Sequence, residues 1–349
     1  MALHWAWDFS TRATAQQYAD SGWGLPSIAS MASTAAPFPR NPSGGLGGMA
    51  VGMVCGFAQD IATCAWPAGS LSDGIIQFHA YFASTSTNHR IRIQSTVGQN
   101  LLELRPAAST NPFYFALYSG EGDAAQVLRG TSTTPLSLNT WYTISIRFKI
   151  GAAGYIEFAV DGVTESIVSA GTTGVTSEWA RLDFYTWGTA YVTGITVWDD
   201  PSVDTALTVT RWMASTAPRS DDLVVGWTNT GGGTDYADVA TVPFSTAEYS
   251  YIAVGGTIRF GVDTTADIGA AWAPDAIDGV VVIAGAQGES GLDSGTVEID
   301  DGVDNDTGTS QFLDGEMAQI SDAFALQADG ATPWDLAAIN AHSYGLTVA

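Results

Sequence analysis

The chain has 349 residues and a formal net charge of −24, although only 14% of its residues are charged. Such a surface repels phosphate, which excludes nucleic acid as an expected partner. An apolar fraction of 46% excludes general disorder, and the length predicts two domains, which we place at 1–203 and 204–349.

The start of the chain carries no targeting pattern. Residues 1–5 lack a basic stretch followed by an apolar core, and the densest aliphatic run, 280–284, is too short to span a bilayer. We therefore expect a soluble protein made in the cytoplasm, without membrane insertion. Cys55 and Cys64 are the only cysteines, so no disulfide framework exists. The two cysteines could face each other across a hairpin, or they could be two reduced, buried thiols. The reduced form is favoured.

Alternation of apolar and polar residues dominates the first domain. In 141–150 every even position is apolar or aromatic, which predicts a strand with one buried face that includes Tyr142, Ile144, Ile146 and Phe148. The segment 155–168 predicts a hairpin, because Asp161-Gly162 tolerates the positive φ angles of a tight turn. Similar strands are predicted at 75–83, 90–97, 112–119, 180–186 and 191–198.

A boundary follows Pro201, and the stretch from about 215 to 250 is predicted to be a loop. Strands resume at 257–262, 278–285, 295–300 and 343–348. One helical turn is predicted over 332–339, with Thr332 as N-cap, Pro333 at the first helical position and Asp335 at the positive end of the dipole. The pattern as a whole predicts an all-β protein with a large sandwich and a second, smaller β-domain.

The acidic run 298–306 is the strongest candidate for chemistry. Glu298 and Asp300 would share one face of a strand, as paired carboxylates of glycan hydrolases do, but the order of residues departs from that pattern and a turn follows. A solvated hairpin is therefore favoured. The same run, or Asp199-Asp200, could offer oxygens to Ca²⁺, but neither matches a calcium loop.

Other motifs are weaker still. The glycine-rich segment 45–50 lacks the strand and helix of a dinucleotide site, and His4, His79, His89 and His342 have no metal-ligand spacing. His79 is predicted to lie on a sheet surface. We assign no catalytic, cofactor or metal residue. The tryptophans either fill the cores, which is favoured, or line a sugar-stacking groove; they are Trp66, Trp141, Trp179, Trp187 and Trp198.

Two stretches resemble known families. The Trp-rich start 4–9, the glycine-rich 43–51, Asn139-Thr140-Trp141-Tyr142, the turn at Asp161-Gly162 and the closing strand 191–200 together resemble the concanavalin A-like, laminin-G-like jelly rolls of phage tail and virion proteins. Residues 235–239, 249–252, 334–341 and 344–348 resemble a β-rich module that follows such jelly rolls.

This resemblance implies a non-enzymatic structural component of a tailed bacteriophage particle, located in the virion and acting through contacts with other virion proteins. The alternative is a carbohydrate-binding module that recognises host-surface glycans, and a glycan-degrading enzyme is the third hypothesis. Lys149 is the sole lysine, so lysine side chains cannot prevent the long strands at 75–83 and 112–119 from pairing with another chain at a sheet edge. We therefore expect a homo-oligomer, with a trimer as the first guess.

Overall fold

The structure is a computed structural model. It describes residues 3–7, 23–24, 31–34, 50–54, 61–65, 70–82, 84–85, 89–151, 153–168, 174–185, 189–199, 207, 218–224, 227–229, 250–252, 255–265, 276–288, 293–313 and 318–349. The chain forms two compact units, the first made mostly of residues up to Trp212 and the second mostly of residues from Met213 to Ala349.

The first unit contains an eight-stranded antiparallel sheet, counted over the described residues. Its strands are β1 (Leu3–Trp7), β3 (Met31–Thr34), β4 (Ala50–Val54), β6 (Asp73–Phe82), β11 (Trp141–Lys149), β12 (Tyr155–Val160), β13 (Val163–Val168) and β15 (Thr189–Trp198). They lie in the order β13-β12-β11-β6-β15-β4-β3, and β1 also pairs with β15.

A seven-stranded antiparallel sheet, counted in the same way, completes this unit. Its strands are β2 (Trp23–Gly24), β5 (Ile61–Ala65), β7 (Arg90–Ser95), β8 (Asn100–Pro106), β9 (Phe115–Ser119), β10 (Val127–Thr131) and β14 (Trp179–Tyr185), in the order β10-β9-β8-β7-β14-β5-β2. A 3-10 turn at Asp123–Ala125 joins β9 to β10. The predicted fold class, a jelly-roll sandwich followed by a smaller β-domain, is confirmed.

The core of the first unit lies between the two sheets. The four residues predicted to face inward from β11 all belong to it, and Ile144, Ile146 and Phe148 have no exposed surface. Trp179 is equally buried and stacks on Phe148 with 3.6 Å between ring centroids. Aromatic pairs of this kind add to the stabilisation that burial alone supplies.

The Asp161-Gly162 turn forms as predicted. Both residues have positive φ angles, 49° and 76°, which is the conformation of a tight hairpin turn whose twist matches the strands it joins. Thr143 donates its backbone N–H to Asp161 Oδ1 at 2.7 Å, which anchors the turn to β11. Partial burial raises the pKa of Asp161 despite that hydrogen bond.

One carboxylate links the two sheets at their edges. Glu165 in β13 accepts hydrogen bonds from Thr133 and Thr134, which follow β10 of the other sheet, at 2.5 to 3.0 Å. Burial raises the pKa of Glu165, but these hydrogen bonds outweigh it and the pKa lies below the ordinary value. The contribution of Glu165 to stability is therefore present above pH ~4.5 and is lost as the pH falls through its lowered pKa.

The second unit is built on a six-stranded sheet, again over the described residues. Its strands are β16 (Pro218–Val224), β19 (Gly256–Val262), β21 (Asp293–Asp300), β22 (Asn305–Thr307), β23 (Gln311–Leu313) and β25 (Ser343–Val348). They lie in the order β16-β19-β25-β21-β22, with β23 also paired to β21. Two further antiparallel sheets of two strands each pair β17 (Thr228–Asn229) with β18 (Ser250–Tyr251) and β20 (Val280–Ala286) with β24 (Ala318–Phe324).

Several boundaries differ from those predicted. The stretch 215–250 is not wholly a loop, because β16 and β17 lie within it. The strand predicted at 112–119 begins at Phe115, while Phe113 forms an isolated bridge to Leu136. The helix α1 (Leu336–Ala341) begins later than predicted: the Asp335 side chain accepts from Ala338 N at 2.7 Å, whereas Thr332 is bound in a turn by Asp329. Thr332 is therefore not the N-cap.

Candidate functional site

The acidic run of the second unit is a structural network. Glu298 lies on the face of β21 that points away from the core and is only 3% exposed. It accepts from Arg259 Nε and from Thr347 Oγ1, the latter at 2.9 Å, while Arg259 Nη1 lies 2.7 Å from Asp300 Oδ2. The two carboxylates therefore share one arginine, which stabilises the sheet.

A glycine makes this network feasible. Gly345 of β25 lies between Arg259 and Glu298 in register, so the arginine side chain reaches across the central strand. A Cβ at Gly345 would overlap the Ile258 carbonyl oxygen and lie 2.8 Å from Arg259 Cγ. Overpacking of this kind typically costs 1–3 kcal/mol.

We therefore expect Gly345→Ala to destabilise the second unit by about 2 kcal/mol. Thermal unfolding followed by calorimetry measures this as a lowered transition of that unit. Gly302→Ala is the control, because no atom lies within 4 Å of a Cβ there and only its positive φ opposes the change. Equal shifts for both variants would show that Gly345 does not serve the arginine.

The remaining acidic residues of the run form a turn. Asp301 Oδ1 accepts from the backbone N–H groups of Val303 and Asp304 at 2.8 and 2.7 Å, and these hydrogen bonds lower its pKa. Among the residues that the structure describes, no group of three histidine, cysteine or carboxylate side chains could hold a metal ion. Asp199 is exposed at the end of β15, and its neighbour Asp200 lies outside the described residues.

The histidines occupy separate places. His79 lies on the face of β6 that points away from the core, as predicted, but it is 2% exposed and therefore not a surface residue; its Nδ1 is 3.0 Å from Thr143 Oγ1. His89 stacks on Phe82, and His342 contacts Trp334 at 4.8 Å between ring centroids. The side chain of His4 lies outside the described residues, as do Cys55, Trp66, Trp187 and residues 43–49.

The remaining candidate tryptophans, Trp141, Trp179 and Trp198, belong to the first unit. Trp179 and Trp198 are buried, and Trp141 is half-buried against Tyr81.

The seven-stranded sheet carries a second cluster of charged residues. Ile91, Ile93, Leu102, Leu104 and Leu182 point into the core, so the residues that alternate with them point to the opposite face. Strand register sets these residues side by side, with Asp183 opposite Arg92 and Arg92 opposite Glu103. We call this surface the arginine face; its charged members are Arg90, Arg92, Glu103, Arg105, Arg181 and Asp183.

Glu103 is the centre of the arginine face. It is 4% exposed, and three guanidinium groups contact it: Arg90 Nη1 at 3.4 Å and Arg92 Nε at 3.2 Å on Oε2, and Arg105 Nη1 at 3.2 Å on Oε1. A carboxylate held between cations is a fixed anchor that orients the arginine side chains around it. Arg92 also reaches Asp183 Oδ2 at 3.8 Å, and Gln94 Nε2 bridges Asp183 Oδ2 and Asn100 Oδ1 at 3.4 and 2.8 Å.

The arginine face has a surplus of positive charge. Among the residues that the structure describes on this surface, four arginines accompany two carboxylates, on a chain whose net charge is −24. Arg181 pairs in register with Gln94, and among the described residues it has no acidic partner within ion-pair distance. Arg90 and Arg105 keep 27% and 28% of their side chains exposed, so part of this charge faces solvent.

One end of the arginine face is aromatic and apolar. Tyr118 lies opposite Glu103 on β9, and the guanidinium carbon of Arg105 lies 4.0 Å from the centre of its ring. Leu128 on the edge strand β10 lies opposite Tyr118 and is 52% exposed. A flat surface of ring and aliphatic carbon therefore borders the planar donors of the sheet.

Sequence reasoning missed this face. The strand β8 was not predicted, although Leu102 and Leu104 alternate with Glu103 and Arg105. The segment 90–97 was predicted as a strand, but no role was assigned to its alternating arginines. The signal that could have identified the site is the recurrence of arginine at period two in neighbouring strands of a chain with few basic residues.

Comparisons with known proteins find matches among solved structures, which cover a little over half of this chain. No family model matches the sequence, and no curated protein matches it. Among solved structures, the alginate lyase Aly36B is 8% identical, with a TM-score of 0.40, over 55% of this chain and 95% of that chain. An endo-β-1,4-glucuronan lyase from the fungus Trichoderma reesei is 11% identical, with a TM-score of 0.41, over 57% and 97%.

A carbohydrate esterase, vb_24B_21 from Shiga toxin-encoding bacteriophage phi24B, is 14% identical to this chain. Its TM-score is 0.38, over 56% of this chain and 97% of that chain. At this level of identity the likeness concerns the fold alone.

Two predictions made from the sequence are corrected here. One made the chain a non-enzymatic structural component of a tailed bacteriophage particle, and the other excluded enzymatic activity. The proteins named above are two polysaccharide lyases and a carbohydrate esterase, and none is named as a structural component of a virion, so both predictions are wrong as stated. The physical reason is that alternation and turn residues define a sandwich, and one sandwich supports many functions. The virion location and the trimer stay predictions.

Proposed function

We propose that the chain binds carbohydrate on the arginine face of its jelly-roll unit. The observation that carries this proposal is the combination of fixed planar donors with an aromatic end on one rigid sheet. Arginine and amide side chains donate several hydrogen bonds in fixed directions, which suits the closely spaced oxygens of a sugar. The guanidinium of Arg105 covers one face of the Tyr118 ring, and we infer that the CH groups of a pyranose pack on the other face, beside Leu128.

The sheet holds these groups before any ligand arrives. Glu103 fixes three arginine side chains, and Gln94 is held by Asn100 and Asp183. Because the side chains are already ordered, binding loses less conformational entropy than it would on a flexible loop. The outer face of the eight-stranded sheet differs from the arginine face because each of two basic residues there has its own carboxylate. Lys149 pairs with Asp73 at 3.1 Å, and Arg147 pairs with Glu157 at 3.6 Å.

We expect Tyr118→Ala to weaken polysaccharide binding about tenfold, because a well-packed aromatic contact contributes about 1–2 kcal/mol. Isothermal titration calorimetry of the full chain with soluble polysaccharides measures the change. Tyr155→Ala is the matched control: Tyr155 lies on the other sheet, and Arg147 lies 4.8 Å above its ring.

The assignment of the face is contradicted if Tyr155→Ala weakens binding as much as Tyr118→Ala does. Loss of binding in Trp141→Ala, with Tyr118→Ala unaffected, would place the sugar on the eight-stranded sheet beside Tyr81 instead. No binding to any of the polysaccharides by the unaltered chain would overturn the proposed function itself.

A further inference from the structure

Two arginines lie directly opposite each other on the arginine face. Ile91 lies opposite Leu104, and the antiparallel register continues to bring Arg90 opposite Arg105. Like charges directly opposite each other on one sheet face are destabilising. Glu103 is the one carboxylate that contacts both among the described residues, and it also contacts Arg92.

Charge is unevenly distributed over the chain. Residues 213–349 contain 21 acidic and 2 basic residues, whereas residues 1–212 contain 15 acidic and 10 basic residues. Four of those ten basic residues lie on the arginine face, where the carboxylates that contact them among the described residues are Glu103 and Asp183, while Asp123 binds Asn100 nearby. Charges separated by more than about 10 Å are screened at 0.1 M salt. An anion near the arginine face is therefore attracted mainly by the positive charge of that face, although the chain as a whole is negative.

Two of the arginines can accept a new partner. Arg181 has no acidic partner among the described residues, and Arg105 contacts Glu103 through Nη1 alone while its plane rests on Tyr118. A guanidinium carries five N–H donors, and its fork matches the two oxygens of a carboxylate or sulfate. From strand spacing, the backbones of Arg105 and Arg181 lie about 16 Å apart, which is longer than one sugar residue.

We propose that the ligand of the arginine face is an anionic saccharide, whose carboxylate or sulfate groups contact Arg105 and Arg181 along several sugar residues. This inference rests on the carbohydrate binding proposed above and adds the chemical class of the ligand. Arg90 and Arg92 raise the local potential, and Glu103 is a positioning residue that keeps the guanidinium groups in place.

Matched pairs of polymers test this inference with the full chain. Polygalacturonate is compared with its methyl ester, and dextran sulfate with dextran, by isothermal titration calorimetry at about 0.05 and 0.5 M NaCl. We expect the anionic member of at least one pair to bind about tenfold or more tightly than its neutral partner, and the difference to shrink at high salt. Which pair shows the effect distinguishes a carboxylate from a sulfate ligand.

Arg105→Gln and Arg181→Gln are each expected to reduce the affinity for the anionic polymer about tenfold and to leave the neutral polymer unaffected, because a charge-assisted hydrogen bond contributes about 1.5–3 kcal/mol. Arg147→Gln on the other sheet is the control. If Arg105→Gln fails to fold, Arg181→Gln still tests the inference, because Arg181 contacts no carboxylate among the described residues.

The outcomes separate the two proposals. Equal binding of the charged and neutral members, unchanged in both arginine variants, overturns the anionic ligand and leaves carbohydrate binding in place. No binding of any polymer overturns both. A single-stranded DNA oligonucleotide that competes as well as the anionic polymer would show a general anion site and would also contradict the saccharide assignment.

Discussion

Replacing Ile146 with Asp is expected to leave the jelly-roll unit unfolded. Ile146 has no exposed surface and lies between Ile76 of β6 and Phe158 of β12, in the centre of the core. A carboxylate there would be buried without a partner, and this cost of several kcal/mol, added to about 2–5 kcal/mol for the lost apolar side chain, is comparable with the roughly 5–15 kcal/mol by which a domain is stable.

The measurement is thermal unfolding by calorimetry and by far-ultraviolet circular dichroism. We expect Ile146→Asp to lack the cooperative transition of the first unit. Ile146→Val, which removes one methyl group, should cost only about 0.5–1.5 kcal/mol. A soluble Ile146→Asp variant with unchanged melting would show that β11 presents its other face to the core.

The second large effect is expected at the arginine face. Removing one partner of a buried ion pair typically costs 3–5 kcal/mol, because the other charge stays buried. In Glu103→Gln the partly exposed Arg90 and Arg105 can turn toward water, but Arg92 is 8% exposed, and the other carboxylate that it reaches among the described residues, Asp183, is 3.8 Å away. We therefore expect a loss of about 2–3 kcal/mol, which lowers the melting temperature of the first unit by about 4–12 °C.

Asp73→Asn is the control for that variant. It removes an ion pair in the same unit, but the Lys149 side chain is 47% exposed, and exposed pairs contribute less than about 1 kcal/mol. Equal shifts in melting temperature for Glu103→Gln and Asp73→Asn would mean that the network around Glu103 is solvated. The arginine face would then lack the fixed side chains on which the proposed binding depends.

The sandwich could be predicted because each signal is local. Period-two alternation in β11 and the Asp-Gly turn after β12 specify a hairpin with one buried face, whatever lies across the sheet. The N-cap was misplaced for an equally local reason: Thr332, Asp329 and Asp335 all have capping side chains, and only tertiary structure selects Asp335.

The candidate site could not be predicted in the same way, because it depends on register between strands. Glu103 and its three arginines come from the consecutive strands β7 and β8, but Asp183 comes from β14, far away in sequence, and only strand pairing brings it opposite Arg92. The acidic run containing Glu298 stood out in the sequence because its residues are contiguous. Its role proved structural, since Arg259 reaches it across Gly345 from a strand that no motif connects with it.

Arginine-specific chemical modification tests the central claim, carbohydrate binding on the arginine face, most directly. The full chain is treated with phenylglyoxal with and without a saturating polysaccharide, and the modified residues are identified by mass spectrometry. We predict that the polysaccharide protects Arg105 and Arg181, while Arg147 on the other sheet is modified equally in both samples. Protection of Arg147 with continued modification of Arg105 and Arg181 would contradict the account.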